Sequence, residues 1–255
     1  MNYLLFICSD GVATAEKAEA MRRHVPGWVE EMDRRGVRRF GHALAPPSAA
    51  RTVRVRDGEM IVTDGPFAES REFVAGFDLI ECADLDEAIE VAAKHPVSWF
   101  HSVEIRPLAD FALSPSGSGT EGEALIPDDP IAPLTQAPAP GRRRYMLAIC
   151  LDGVPESDEE EAAIRRDSAD WLSAAIEQGV QVHGHALKHA ETATTVRVRG
   201  GETLVSDGPF IETREFIGGI DVVDCASPQE AVELAARLPL ARYHMIEVRP
   251  FATEG

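Results

Sequence analysis

Basic residues, cysteines and long apolar runs are all scarce in this chain of 255 residues. Its 25 Lys and Arg stand against 43 Asp and Glu, a formal charge of −18. Such a surface repels phosphate backbones and anionic headgroups, so neither nucleic acid nor a membrane is expected as a partner. No apolar run reaches the length of a membrane span. The opening YLLFIC is too short for a signal peptide and has no basic residues before it, so a cytoplasmic protein is expected. The four cysteines, Cys8, Cys82, Cys150 and Cys225, show no CxxC or Cys/His spacing that would hold zinc. They read as small buried hydrophobes, and no metal or cofactor is expected. A glycine-rich phosphate loop and a Ser/His/Asp signature are missing too.

What the chain does have is a repeat. At an offset of 143, GHAL at 41–44 falls on 184–187, TVRVR at 52–56 on 195–199, and Glu104-x-Arg106-Pro107 on Glu247-x-Arg249-Pro250. The segments 64–82 and 207–225, both opening with DGPF, agree at 11 of 19 positions, too densely for composition bias. Near the start the offset is 142, since Asp10-Gly11 matches Asp152-Gly153. Residues 114–141 carry six prolines, no aromatic residue and no apolar period. They read as a linker. The division expected is a first copy over 1–112, a linker over 113–142 and a second copy over 143–255. A linker of this length spans roughly 30 Å, enough for the copies to pack on each other.

Each copy begins with a strand-length apolar run, YLLFIC at 3–8 and YMLAIC at 145–150. Met21, Val25, Trp28 and Met32 then form one helical stripe, with a break expected near Pro26. Gly36 and Gly179 suit helix C-caps. Asp57-Gly58 and Gly200-Gly201 are hairpin turn signals. Asp84-x-x-Glu87 and Ser227-Pro228-x-Glu230 open a second helix as capping boxes, and Leu85, Ala88, Ile89 and Ala92 form its buried stripe. Without the 51–63 hairpin, the order is strand–helix–strand–strand–helix–strand, the split βαβ of ferredoxin-like folds. The class expected is α+β: two tandem ferredoxin-like domains, each with an inserted hairpin, packed sheet to sheet as an internal pseudo-dimer.

DGPF followed by E-[ST]-R-E-F, with TVRVR before it and E-x-R-P at the end, resembles the YCII-related family, specifically its DGPF branch. The resemblance covers nearly everything except the linker. It implies the dimeric α+β barrel fold, a frequent genetic association with extracytoplasmic-function sigma factors, and His/Asp acid–base chemistry on small molecules in the few enzymatic relatives. Two functions follow as expectations: a small-molecule-binding protein or lyase/isomerase-type enzyme, or a non-enzymatic regulatory module with a sigma-factor-linked protein partner. The enzymatic relatives place the histidine on the first helix, where this chain has His24 in one copy and Asp167 in the other.

From the residues themselves, the catalytic candidates are His42 with Asp64 and His185 with Asp207. A carboxylate fixes the tautomer of an imidazole, which then abstracts and returns a proton near neutral pH. The competing reading is that each aspartate holds its Gly-Pro turn by accepting backbone N–H bonds. Arg54 and Arg56, like Arg197 and Arg199, share a strand face. They read either as an anion site, joined by Arg71 or Arg214, or as solvated edge arginines that discourage aggregation. Glu104 with Arg106 and Glu247 with Arg249 must pair if buried. His101 and His244 read as core histidines.

Overall fold

The computed structural model describes residues 1–11, 14–67, 73–109, 132–152, 158–180, 182–210 and 215–253. The first repeat runs β1 (Asn2–Ser9), α1 (Ala15–Arg34), β2 (Arg38–Ala43), β3 (Arg51–Arg56), β4 (Glu59–Asp64), β5 (Phe73–Glu81), α2 (Leu85–Lys94) and β6 (Ser102–Pro107). A single helical turn, α3 (Ala132–Thr135), lies within the expected linker, where Leu134 is buried and its carbonyl accepts from Arg144. The second repeat runs β7 (Arg143–Leu151), α4 (Asp158–Glu177), β8 (Val182–Ala186), β9 (Thr194–Arg199), β10 (Glu202–Asp207), β11 (Phe216–Cys225), α5 (Pro228–Arg237) and β12 (Met245–Pro250).

These strands form two antiparallel six-stranded sheets, β10-β9-β6-β1-β5-β2 and β4-β3-β12-β7-β11-β8. The last four strands of each order are the ferredoxin-like core of one repeat, so the α+β class holds. The first two are the hairpin of the other repeat. One compact unit accordingly holds the described residues of Met1–Leu44, Ser70–Leu108 and Lys188–Thr213, and the second those of Ala45–Glu69, Ala109–Leu187 and Arg214–Gly255. The hairpins are exchanged: β9 pairs with β6 through Val103↔Val196, and β3 pairs with β12 through Ile246↔Val53. Val53 and Val196 are fully buried, each in the core of the unit that receives its hairpin.

Local signals behave as their chemistry demands. Asp57 and Gly58 have φ of 53° and 79°, and Gly200 and Gly201 have 59° and 86°, the paired left-handed residues of a tight hairpin turn. Asp84 accepts from Glu87 N–H while Glu87 accepts from Ala83 N–H; Ser227 and Glu230 repeat the arrangement with Ala226. Leu85 departs from the expected stripe and is exposed, whereas Ala88, Val91 and Ala92 are buried. All four cysteines are buried and none is in a disulfide.

α1 does not break at Pro26. The helix is continuous from Ala15 to Arg34 with the proline inside it. One backbone bond is forgone there, but Trp28 and Met32, two and six residues on, are buried, and Trp28 Nε1–H donates to Val91 O at 3.2 Å. Truncating a side chain buried in this way costs about 3–5 kcal/mol, which outweighs the proline penalty of about 3 kcal/mol. Trp171 on α4 makes the matching bond to Leu234 O.

GHAL also acquires a physical reason. Gly41 pairs across the sheet with Asp78, and Gly184 with Asp221. A Cβ at Gly41 would stand 1.8 Å from Asp78 Oδ1, and one at Gly184 1.9 Å from Asp221 Oδ1. Each glycine leaves the space that a buried carboxylate fills.

Candidate functional site

The last strand of each repeat bears a buried Glu and Arg two residues apart and thus on one face. Glu104 Oε2 accepts from Phe210 N–H at 2.8 Å, and Glu247 Oε2 from Phe67 N–H at 3.1 Å. Their other oxygens take the neighbouring arginines: Arg106 Nη1 at 3.3 Å, and Arg249 Nε at 3.0 Å together with its Nη2. Arg106 donates onward to Lys188 O at 2.6 Å, and Arg249 to Ala45 O at 3.2 Å. The two repeated motifs are therefore halves of one latch. E-x-R-P of one repeat grips the DGPF turn of the other.

This latch corrects the expectation that Asp64 and Asp207 hold their turns. Both are exposed, and Asp64 lies 3.0 Å from Arg51 Nε. The turns are drawn back instead by Gly65 N–H to Ala50 O, Gly208 N–H to Ala193 O, and the glutamates. Phe67 and Phe210 are half-buried.

The arginine strands are corrected as well. β3 and β9 are interior, with β4 and β10 at the edges. Arg199 donates to the carbonyls of Ser98, Phe100 and His101, closing the 3-10 turn Pro96–Trp99. Arg56 donates to Arg242 O and Tyr243 O at the equivalent turn Pro239–Arg242. Arg71 and Arg214 lie outside the described residues.

The two members of each sequence-based catalytic pair belong to different units. His42 is on β2 in the first unit and Asp64 on β4 in the second; His185 is on β8 in the second and Asp207 on β10 in the first. Within the first unit, His42 and Asp207 occupy opposite edge strands of the sheet. His185 and Asp64 stand likewise in the second. His42 Nδ1 is 2.8 Å from Ala43 O, and His185 Nε2 is 2.8 Å from His183 Nε2. Burial pushes His185 down to about 4, so it is neutral at pH 7.

The histidines expected in the core also meet carboxylates, and His244 is buried. His101, just before β6, has Nδ1 3.2 Å from Oδ1 of Asp10, just after β1. His244, just before β12, has Nδ1 2.8 Å from Oδ1 of Asp152, just after β7. The same pair forms in both units from residues about ninety apart in sequence. In each pair the imidazole is largely shielded, at 12% and 9% side-chain exposure, and the carboxylate reaches solvent, at 46% and 39%. Burial lowers the His101 pKa, and Lys17 and Arg199 lower it further against the pull of Asp10. The hydrogen bond from His244 holds Asp152 below the usual carboxylate range, with Arg54 adding to the effect.

The sequence did carry a signal for these pairs. Asp10 and Asp152 recur, as do His101 and His244, and the ferredoxin-like order makes the first and last strands antiparallel neighbours. The end of one then meets the start of the other. His24 takes no part: its ring packs edge-on against Trp99 at 5.2 Å, while Asp167 lies 3.8 Å from Arg242 Nη1. Positions 24 and 99 correspond to 167 and 242, so the His/Asp difference between the repeats is compensated by a Trp/Arg difference at the partner position.

An open depression between α2 and the β9–β10 hairpin, lined in part by Asp86, Glu90, Lys94 and Thr203, contains no histidine, and Lys94 there pairs with Glu90 at 2.8 Å. Among the described residues no three His, Cys, Asp or Glu side chains cluster as a metal site, and no helix is long and apolar enough to cross a membrane.

Fold and site define an α+β protein of two exchanged-hairpin, ferredoxin-like units, each with a His–Asp pair at the end of its central strand. The chain belongs to the YCII-related family, whose domain model matches residues 1–112 and again 145–252. It is 50% identical over 70 residues to an uncharacterised protein of Rhizobium meliloti (strain 1021), a match covering 26% of this chain and 55% of that protein. The chain thus spans about half the length of that curated relative. A crystal structure described as a candidate chlorite dismutase is similar at a TM-score of 0.46 and 9% identity, covering 99% of this chain and 94% of that one.

Proposed function

We propose that the protein is an acid–base enzyme acting on a small anionic molecule, with His101/Asp10 and His244/Asp152 as its two reacting pairs. The observation that carries this reading is the occurrence of one His–Asp geometry in both units. In the second pair Asp152 accepts from His244 Nδ1–H, and in the first Asp10 faces His101 Nδ1 across 3.2 Å, so that Nε2 is left to serve as the base in each. His101 is biased toward its neutral form, the state a general base needs near pH 7. Lys17 and Arg199 beside His101, and Arg54 beside Asp152, supply local positive potential in an otherwise acidic chain, which favours an anion whose charge grows as a proton leaves carbon. Lyase or isomerase chemistry begins with that step.

The test is solvent-deuterium incorporation into small carboxylates that carry an acidic C–H bond. Exchange by the full chain should fall about 10²- to 10⁴-fold in the His101→Gln/His244→Gln double variant. Exchange that is equal in the double variant would overturn the proposal.

A second reading, a binding module for a protein partner such as a sigma factor, draws on Met60, Ile61 and Val62 of β4 and Leu204 and Val205 of β10, all exposed. Co-migration with that partner on a sizing column, lost when Ile61 and Leu204 are changed to Lys, would favour it.

A further inference from the structure

The edge strand β8 holds two histidines at positions i and i+2, where strand geometry places them on one face. Their partners on β11 are Val222 for His183 and Ile220 for His185, both buried, so the imidazoles stand on an apolar floor. Asp221 and Gly184 belong to the opposite face. The rings meet edge to face at 4.7 Å, and the two Nε2 atoms are 2.8 Å apart. The contact is a hydrogen bond, with one Nε2 protonated and the other supplying its lone pair. The first repeat has Phe40 in place of His183, so β2 has no such pair.

We propose that His183 and His185 form a bidentate site for a square-planar divalent transition ion, Cu²⁺ before Ni²⁺ and Zn²⁺. Imidazole nitrogens bind such ions at about 2.0–2.1 Å, and two bonds of that length whose ends are 2.8 Å apart subtend about 86°. That is the cis angle of a square plane. A tetrahedral ion needs its nitrogens about 3.3 Å apart and fits less well. The balance is simple: the metal replaces the shared proton, which moves from Nε2 to Nδ1 of the same ring, so two neutral imidazoles bind without net proton release. Water fills the remaining positions. The affinity order follows the Irving–Williams series reinforced by this geometry.

The experiment titrates the full chain with Cu²⁺ in the presence of excess glycine as a weak competitor, and reads electron paramagnetic resonance with electron-spin-echo modulation. One ion per chain with two equivalent imidazole nitrogens is expected, with affinity falling at least about tenfold in His183→Phe and again in His185→Gln. His183→Phe installs the side chain that the first repeat already carries, and circular dichroism on both variants verifies their fold. A site showing one imidazole, binding that survives both substitutions, or no binding against glycine would each overturn the assignment.

Discussion

The two units share their latch and their His–Asp pair but differ at the edge strands and beneath the first helices. In the first unit, buried Asp78 receives Arg38 Nε at 2.6 Å, and Arg38 also donates to Gly41 O. His95 stands 4.0 Å from the same carboxylate. Burial drives His95 down to about 3, so this is a contact with a neutral ring rather than an ion pair, and Asp78 rises to about 6. In the second unit Leu238 replaces His95, Gln181 replaces Arg38 and lies outside the described residues, and Asp221 rises to about 7. Its Oδ2 has no hydrogen-bond partner among the described residues. Duplication has preserved what ties each hairpin to its host sheet and what faces the candidate site. The far edge has diverged.

The comparison breaks most sharply at the latch. Glu104→Ala and Glu247→Ala each strand a buried arginine and release a hairpin N–H, so urea unfolding should show about 3–5 kcal/mol lost in both. A loss in only one would mean that the hairpins are held differently. Asp221 comes next. Its folded pKa is raised above the unfolded value, so its protonated form stabilises the fold fully below about pH 4, and that contribution is lost as pH rises through about 7. Asp221→Asn should flatten this decline and, at pH 8, stabilise the protein by about 2–4 kcal/mol. Asp78→Asn should destabilise instead, because Arg38 then loses its buried carboxylate and keeps only the exposed Asp33, 3.4 Å away. The smallest effect belongs to the compensated surface pair. His24→Asp with Trp99→Arg should change stability by about 0.5 kcal/mol or less, with a favourable coupling in the double-mutant cycle.

Much of the local structure was legible from residue chemistry: hairpin turns from Asp57-Gly58 and Gly200-Gly201, caps from Asp84 and Ser227, and the Trp28 stripe. Hairpin exchange was not legible, for a physical reason. Both repeats carry the same DGPF turn and the same Glu-x-Arg, so pairing within a repeat and pairing between repeats satisfy identical side chains. Residue chemistry suggested His42 with Asp64 and His185 with Asp207, and exchange assigns the members of each pair to different units. His101 and His244 went the other way. Strand alternation put them with apolar neighbours, and only the adjacency of first and last strands shows that each sits one step beyond the pleat, facing Asp10 or Asp152. Pro26 marks a further limit, since local backbone preference there is smaller than the packing of Trp28.

The central claim is that both units hold a histidine whose Nδ1 faces an aspartate and whose Nε2 takes the proton. Nitrogen-15 correlation spectra of the imidazoles at pH 8 read this directly. The account predicts a protonated Nδ1 and a bare Nε2 for both His101 and His244, with the preference lost in Asp10→Asn and Asp152→Asn. Protonated Nε2 in either wild-type ring would contradict it.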